Sequence, residues 1–423
     1  MKRKAIVGVL VTAMLLGLSF AAWAGGQAEA EQDKEIQLRW ASIWVGQDSK
    51  AGPVASLVQE FNAANAGKIS VVIDPQPDYN AYDQKVRTAL ASGTAPADIW
   101  TMALNPTTAE FYKSDLLMDF APVLTSEWKA RFDAGSVAQS TIGGKLKTLP
   151  YEKAIIPIWY NMDLLARVGV TDVPRTSAEF WSLMDKLKAA GISATSQMTG
   201  DTNAWTSMLW FSHLAISYGG PDVWSKPFTD QAFVKAAQDI KKLITEYSTA
   251  DAIGLGAGGS GGHFLAGRTA VFSNGPWYTG RADLAATPFF GNIKIAGLPA
   301  FGSTSNYMIT RLQSSLCAAA VKDPAREAAI IKFLQYMTAP ENVKRIQEAS
   351  GAMFAIPTDM KPANHLQQQF NDLAGKVAVT APDLDIALGA EVTLEFTQQL
   401  SSLALGRITP EEFTRLVNQK IDR

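Results

Sequence analysis

A chain of 423 residues with 47% hydrophobic composition can bury more than one apolar core, since a single core stops growing at about 250–300 residues. Its 38 basic and 40 acidic residues nearly balance, and no basic cluster stands beyond the first residues, which excludes a phosphate-neutralising nucleic-acid surface. One cysteine excludes an internal disulfide, and His213, His263 and His365 are scattered without H-E-x-x-H spacing, so no metal site is expected.

The chain opens with Lys2, Arg3 and Lys4, an apolar run from Ala5 to Leu18 broken only by Thr12, and Ala22-Trp23-Ala24. Residues 1–24 therefore read as a signal peptide cleaved near Ala24; the run is shorter than the roughly 20 residues a membrane-spanning helix needs. No cysteine follows the cut, so a chain without lipid is expected, periplasmic or secreted. Losing Lys2, Arg3 and Lys4 leaves 35 basic residues against 40 acidic, a net charge of about −5. Residues 25–34, rich in Gly, Ala and Glu, read as a flexible leader.

Strand-like runs then alternate with amphipathic helices, the pattern of an α/β protein. Ile36–Trp44 reads as a buried strand, Pro53–Asn65 as a helix, "KISVVI" as a strand, "YDQKVRTALASG" as a helix and "ADIWTMA" as a third strand. In "TSAEFWSLMDKLKAAG", Thr176 and Glu179 form a capping box, Phe180, Leu183, Met184 and Leu187 share one face, and Gly191 ends the helix. The run Gly254–Gly262 lacks the Lys-Ser/Thr of a phosphate loop and is expected to be a flexible surface loop. "AGRTAVFSNGPWYTG", Ala266–Gly280, reads as a strand followed by a rigid turn at Asn274, Gly275 and Pro276, with Gly275 in a conformation other residues resist. That turn presents Trp277. Cys317 lies in "SSLCAAA", an apolar strand-like run. Asp323 with Pro324 and Thr409 with Pro410 and Glu412 start the last strongly punctuated helices. There is no G-x-S-x-G elbow, and the pair Glu411–Glu412 sits at a helix start, where the dipole accounts for it. No catalytic residue, cofactor or metal is expected, and the chain does not read as an enzyme.

The segments "ASGTAPADIW", "GGKLKTLPYEKAIIPIWYNMDLLARVGV", "VPRTSAEFW", "FLAGRTAVFSNGPW", "KIAGLPAF" and "AREAAIIKFLQYMTAPENVKRIQEASGAMFAIP" occur in this order. In sequence and spacing they resemble the family 1 extracellular solute-binding proteins of ATP-driven importers, in the sugar-binding branch that includes maltose- and maltodextrin-binding proteins. The resemblance runs from about Ile36 to the C-terminus. It implies two α/β lobes joined by crossing segments, a hinge, and a ligand cleft between the lobes. Carried onto this chain, residues 35–152 and 309–350 form the first lobe, and 153–308 and 351–423 the second. It further implies a monomer that delivers a carbohydrate to a membrane permease.

Ligands of open α/β sheets bind beyond the carboxyl ends of strands. That nominates Trp44, Gln47 and Asp48 after the first strand, Asp78 and Tyr79 after the second, and Asn105 after the third. "LPYEK" places Tyr151 and Glu152 at the crossing between lobes; Trp205, Trp210 and Trp277 come from the second lobe, and Glu391 from the C-terminal region. Aromatic faces suit the apolar face of a sugar, and carboxylates and amides its hydroxyl rim. The chain departs from the maltodextrin pattern at "IWTMALNPT", where Met102 and Asn105 stand in place of an aromatic and an acid, and at Thr393, where an aromatic platform is expected. Fewer stacking surfaces speak against long maltodextrins and leave a mono-, di- or short oligosaccharide as the expected ligand. Two rival readings stay open: a receptor for a polyamine or other cation, held by Asp48, Asp78, Glu152 and Glu391, and an exported carbohydrate-active enzyme.

Overall fold

The computed structural model describes residues 35–421 apart from Ala378, so the expected signal peptide and leader lie outside the described residues. Strands β1 (Ile36–Ser42), β2 (Ile69–Pro75) and β3 (Ile99–Met102) pair in parallel, with helices Ala51–Ala64 and Tyr79–Ala91 between them. This is the expected βαβαβ opening. β1 stops at Ser42 rather than Trp44, because the Ser42 hydroxyl accepts the Trp44 N–H at 3.2 Å and turns the chain.

Two long strands, β4 (Leu149–Ile156) and, later, β9 (Tyr307–Ala318), run antiparallel and pass from one apolar core to the other. Leu149, Tyr151, Leu316 and Ala318 pack with Trp40, Phe61 and Phe333. Ala154, Ile156, Tyr307 and Ile309 pack instead with Phe180, Trp210 and Phe396. Pro157 has no N–H to continue a ladder and separates β4 from β5 (Ile158–Asn161). β5, β6 (Ser193–Thr195), β7 (Thr269–Ser273) and β8 (Ile293–Ala296) form a second sheet in the order β6-β7-β5-β8. β10 (Met353–Phe354) and β11 (Val379–Ala381) complete the first sheet, whose order is β10-β4-β9-β3-β1-β2 with β11 beside β9.

The helix signals hold where they are local. Thr176 and Glu179 make the capping box, Asp323 accepts the Ala325 N–H, and Thr409 accepts the Glu412 N–H. The glycine run differs from expectation: Ala257–Leu265 is helical. Glycine costs about 1 kcal/mol per helical position relative to alanine, and here neighbouring residues hold the first turn and leave no room for a larger side chain. The Asp201 carboxylate accepts the Ala257 N–H at 2.7 Å, and a Cβ at Gly261 would lie 2.8 Å from the Tyr278 hydroxyl. Cys317 is buried on β9, where burial pushes its thiol pKa up and keeps it unreactive.

Candidate functional site

β7 is buried along its length and ends at Ser273, after which the Asn274 side chain accepts the Gly275 N–H at 2.9 Å. A 3-10 turn, Pro276–Gly280, follows. Gly275 has φ −90° and ψ 179°, ordinary extended backbone, so the expected special conformation is not used. Space is the reason for glycine: a Cβ there would lie 2.3 Å from the Trp277 ring, which folds back over this position. The indole is partly exposed and touches three separate apolar clusters, so it sits where the two cores meet. Ser49, from the turn after β1, donates its hydroxyl to the Trp277 carbonyl at 3.1 Å.

Trp205 opens the helix Trp205–Gly219 and faces Trp277 at 6.1 Å between ring centroids. The residue before it, Ala204, is fully buried with φ +42° and ψ +48°. A left-handed alanine costs roughly 1–2 kcal/mol, which surrounding packing sustains in order to aim the indole. Arg311 of β9 lies 5.0 Å over Trp205 and is buried. Its guanidinium donates to Asp383 at 2.9 Å and to Asp385 at 3.4 Å. Burial, reinforced by Asp383 and Asp83 and opposed by Arg311, pushes the Asp385 carboxyl up to about 6.

Asp385 forms part of the wall of a cavity of about 280 Å³, which Tyr79, Asp83, Asn105, Thr202 and Thr393 also line. Its walls come from both halves of the structure: the segments after β2 and β3 on one side, and the entry to helix Trp205–Gly219 with helix Ala390–Ala404 on the other. On β9, Arg311 Nε and Gln313 Oε1 are buried with no hydrogen-bond partner among the described residues. Such groups are costly unless something polar meets them.

Of the expected site residues, Tyr79 and Asn105 line this cavity, and Trp205 joins it through Arg311 and Asp385. Asn105 is also committed locally, because it makes a reciprocal capping box with Thr108. Trp44, Tyr151 and Trp210 lie inside the cores. Trp44 and Tyr151 meet at a tilt with ring centroids 5.5 Å apart, the Tyr151 hydroxyl donates to the Met337 carbonyl at 2.9 Å, and Trp210 packs 5.7 Å from Phe180. Gln47 is exposed beside the turn, and Asp78 caps helix Tyr79–Ala91 through the Ala81 N–H. Glu391 sits on an exposed helix face, paired with Lys420 at 3.4 Å.

Asp48 and Glu152 converge on one buried amine. Lys50 lies 3.3 Å from each carboxylate, and although burial opposes its charge most strongly, Glu152 and Asp48 together hold its pKa above the ordinary lysine value. Glu152 stands at a break in the β4–β9 register, and such a bulge re-aims a side chain. Sequence reasoning missed Lys50, Arg311, Asp383 and Asp385. One signal was present: a lone arginine inside the apolar run "YMITRLQSSLCAAA" has to be buried with a carboxylate partner.

A family model described as bacterial extracellular solute-binding protein matches residues 47–344. A probable ABC transporter-binding protein of Deinococcus radiodurans is 26% identical over 242 residues, covering 54% of this chain and 56% of the relative. A probable sugar-binding periplasmic protein of Mesorhizobium japonicum is 24% identical over 245 residues, 55% of this chain and 56% of the relative. The chain thus spans little more than half the length of these curated relatives. Among solved structures, a chitin oligosaccharide binding protein superposes with TM-score 0.85 at 20% identity, over 92% of this chain and 98% of the other, which shows a common fold.

Proposed function

Because the chain belongs to the bacterial extracellular solute-binding protein family and has its two-lobe α/β fold, we propose that it captures a carbohydrate between the lobes and delivers it to an ATP-driven import permease. One observation carries this reading: Trp277 and Trp205 stand together between the two cores, and Arg311 of β9, 5.0 Å over Trp205, keeps its buried Nε without a hydrogen-bond partner among the described residues. A sugar presents an apolar face for the indoles and hydroxyls for Arg311, Gln313 and Asp385. The names of relatives that bind sugars support the same class.

In this reading residues 35–152 and 309–350 build the first lobe, and 153–308 and 351–423 the second. The passage of β4 and β9 between cores supports a first junction near residue 152 and a second on β9 just beyond Ile309. Phe354 and Ile356 still pack in the first core, which favours a last junction just beyond Ile356. The protein acts as a monomer, performs no chemistry on its ligand, and starts without lipid near Gly25 after export. Among the described residues no helix is long and apolar enough to cross a membrane.

The cationic-solute reading loses its motive, since each carboxylate proposed for it has another partner. Lys50 occupies Asp48 and Glu152, Lys420 occupies Glu391, and Asp78 caps a helix. Titration calorimetry against mono-, di- and trisaccharides and against polyamines decides the class: a saturable sugar response is expected, and binding confined to polyamines would reverse the assignment. Product analysis after long incubation with the bound sugar tests the absence of turnover.

A further inference from the structure

Helix Ala390–Ala404 starts at Gly389, which has no side chain to cap it. Its first N–H, on Ala390, is accepted instead by the hydroxyl of Thr107 at 3.1 Å. Thr107 belongs to the short helix Pro106–Ala109 that follows β3 of the first sheet. The capped helix packs its Val392, Phe396 and Leu400 in the other core, with Tyr160 and Val271. The cap therefore comes from the opposite lobe. The approach is tight: Gly389 has φ +87°, and a Cβ there would lie 2.6 Å from the Thr107 hydroxyl oxygen and 3.2 Å from its backbone nitrogen. The same helix turn lines the cavity, with Thr393 Oγ1 3.5 Å from Asp385 Oδ1.

We propose that Thr107 is a positioning residue for ligand capture, capping helix Ala390–Ala404 only when the two lobes close. The proposal rests on the reading of this cleft as the ligand site. A helix start leaves N–H groups without partners inside the helix, so a cap lowers the free energy of whichever state provides it. Rotation that parts the lobes lengthens a 3.1 Å contact between them and returns the Ala390 N–H to water. Closure alone then gains the cap, and the bound ligand is released more slowly without any contact to Thr107. Ser49 and the Trp277 carbonyl, 3.1 Å apart, make a comparable contact at the aromatic end of the cleft.

Thr107→Val removes the acceptor at nearly constant shape, and Thr107→Ser keeps it. Calorimetry and stopped-flow release with maltose, raffinose and chitobiose should show Thr107→Val binding its sugar roughly 2- to 30-fold more weakly, the range a lost helix cap spans. The loss should lie mainly in faster release, Thr107→Ser should bind like the parent, and the ligand-free melting temperature should not move. Unchanged affinity in Thr107→Val, or a matching fall in ligand-free melting temperature, overturns the proposal. If the parent protein binds none of these sugars, the functional reading is what fails, and the cap is read without ligand. Spin labels at Ile142→Cys and Leu405→Cys, both exposed positions, report the distance between lobes. Thr107→Val should deplete the short-distance population, and identical distance distributions would overturn the proposal.

Discussion

Trp277 and Trp210 are both indoles among aromatic neighbours, yet their truncation should have opposite consequences. Trp277 is partly exposed at the meeting of the cores, whereas Trp210 is fully buried against Phe180. Covering the free indole face with a sugar contributes on the order of 1.5–3 kcal/mol, so Trp277→Ala should weaken binding roughly 10- to 100-fold. Trp210→Ala should cost about 3–5 kcal/mol of stability through the cavity it leaves. Melting curves and calorimetry on both variants separate the roles; a collapsed melting temperature with normal affinity in Trp277→Ala would make it a packing residue. Asp385 adds a pH signature. Its carboxyl pKa is raised from 3.8 to about 6, so the folded state holds the proton more tightly than the unfolded chain. The stability this contributes is complete below pH 3.8 and lost as pH rises through about 6. In Asp385→Asn that dependence disappears. Urea unfolding at intervals from pH 4 to pH 7 should show the wild type losing up to about 3 kcal/mol relative to the variant as pH rises; parallel profiles would refute the assignment.

At the scale of elements, the turn after β1 and the crossing strand β4 are tied by Lys50, which is almost fully buried between Asp48 and Glu152. Removing one member of a buried pair strands the other, at a cost of about 3–5 kcal/mol, while replacing both with neutral groups is far milder. Lys50→Met should therefore destabilise strongly, and Lys50→Met with Glu152→Gln should recover most of the loss in denaturant unfolding. A double variant as unstable as the single one would mean that Asp48, not Glu152, is the partner that matters. The same pair shows what a sequence can disclose. The capping boxes and the βαβαβ opening are legible because their determinants lie within a few residues of one another, as Thr176 and Glu179 do. Trp277 is legible as an indole held by a turn, although the reason for Gly275 is room for the ring and not its dihedral angles. Arg311 and Asp383 are 72 residues apart in sequence, and only the crossing of β9 beside β11 joins them. The glycine-rich helix is hidden for a related reason: Asp201, which holds its first N–H, and Tyr278, which crowds Gly261, lie outside the segment.

At the scale of the whole molecule, two cores are linked by β4 and β9, and away from these strands the Trp277 indole packs against both while two polar contacts bridge them. Ser49 to the Trp277 carbonyl and Ala390 to the Thr107 hydroxyl are single hydrogen bonds of 3.1 Å each. Each contributes only about 0.5–1.5 kcal/mol, a small bias toward the closed arrangement. If the ligand bridges Trp277 and Trp205 on one side and the Tyr79–Asn105 wall on the other, as proposed above, it contacts both lobes and binds the closed arrangement better than an open one. By linkage it shifts the population toward closure in proportion to that difference in affinity. Small-angle scattering should therefore show the radius of gyration falling as a bound sugar approaches saturation, with a midpoint that matches the calorimetric Kd. Trp277→Ala should move this midpoint to higher sugar concentration without changing the end state, because the indole stabilises closure through the ligand. A confirmed ligand that leaves the scattering profile unchanged would mean that capture occurs without lobe closure.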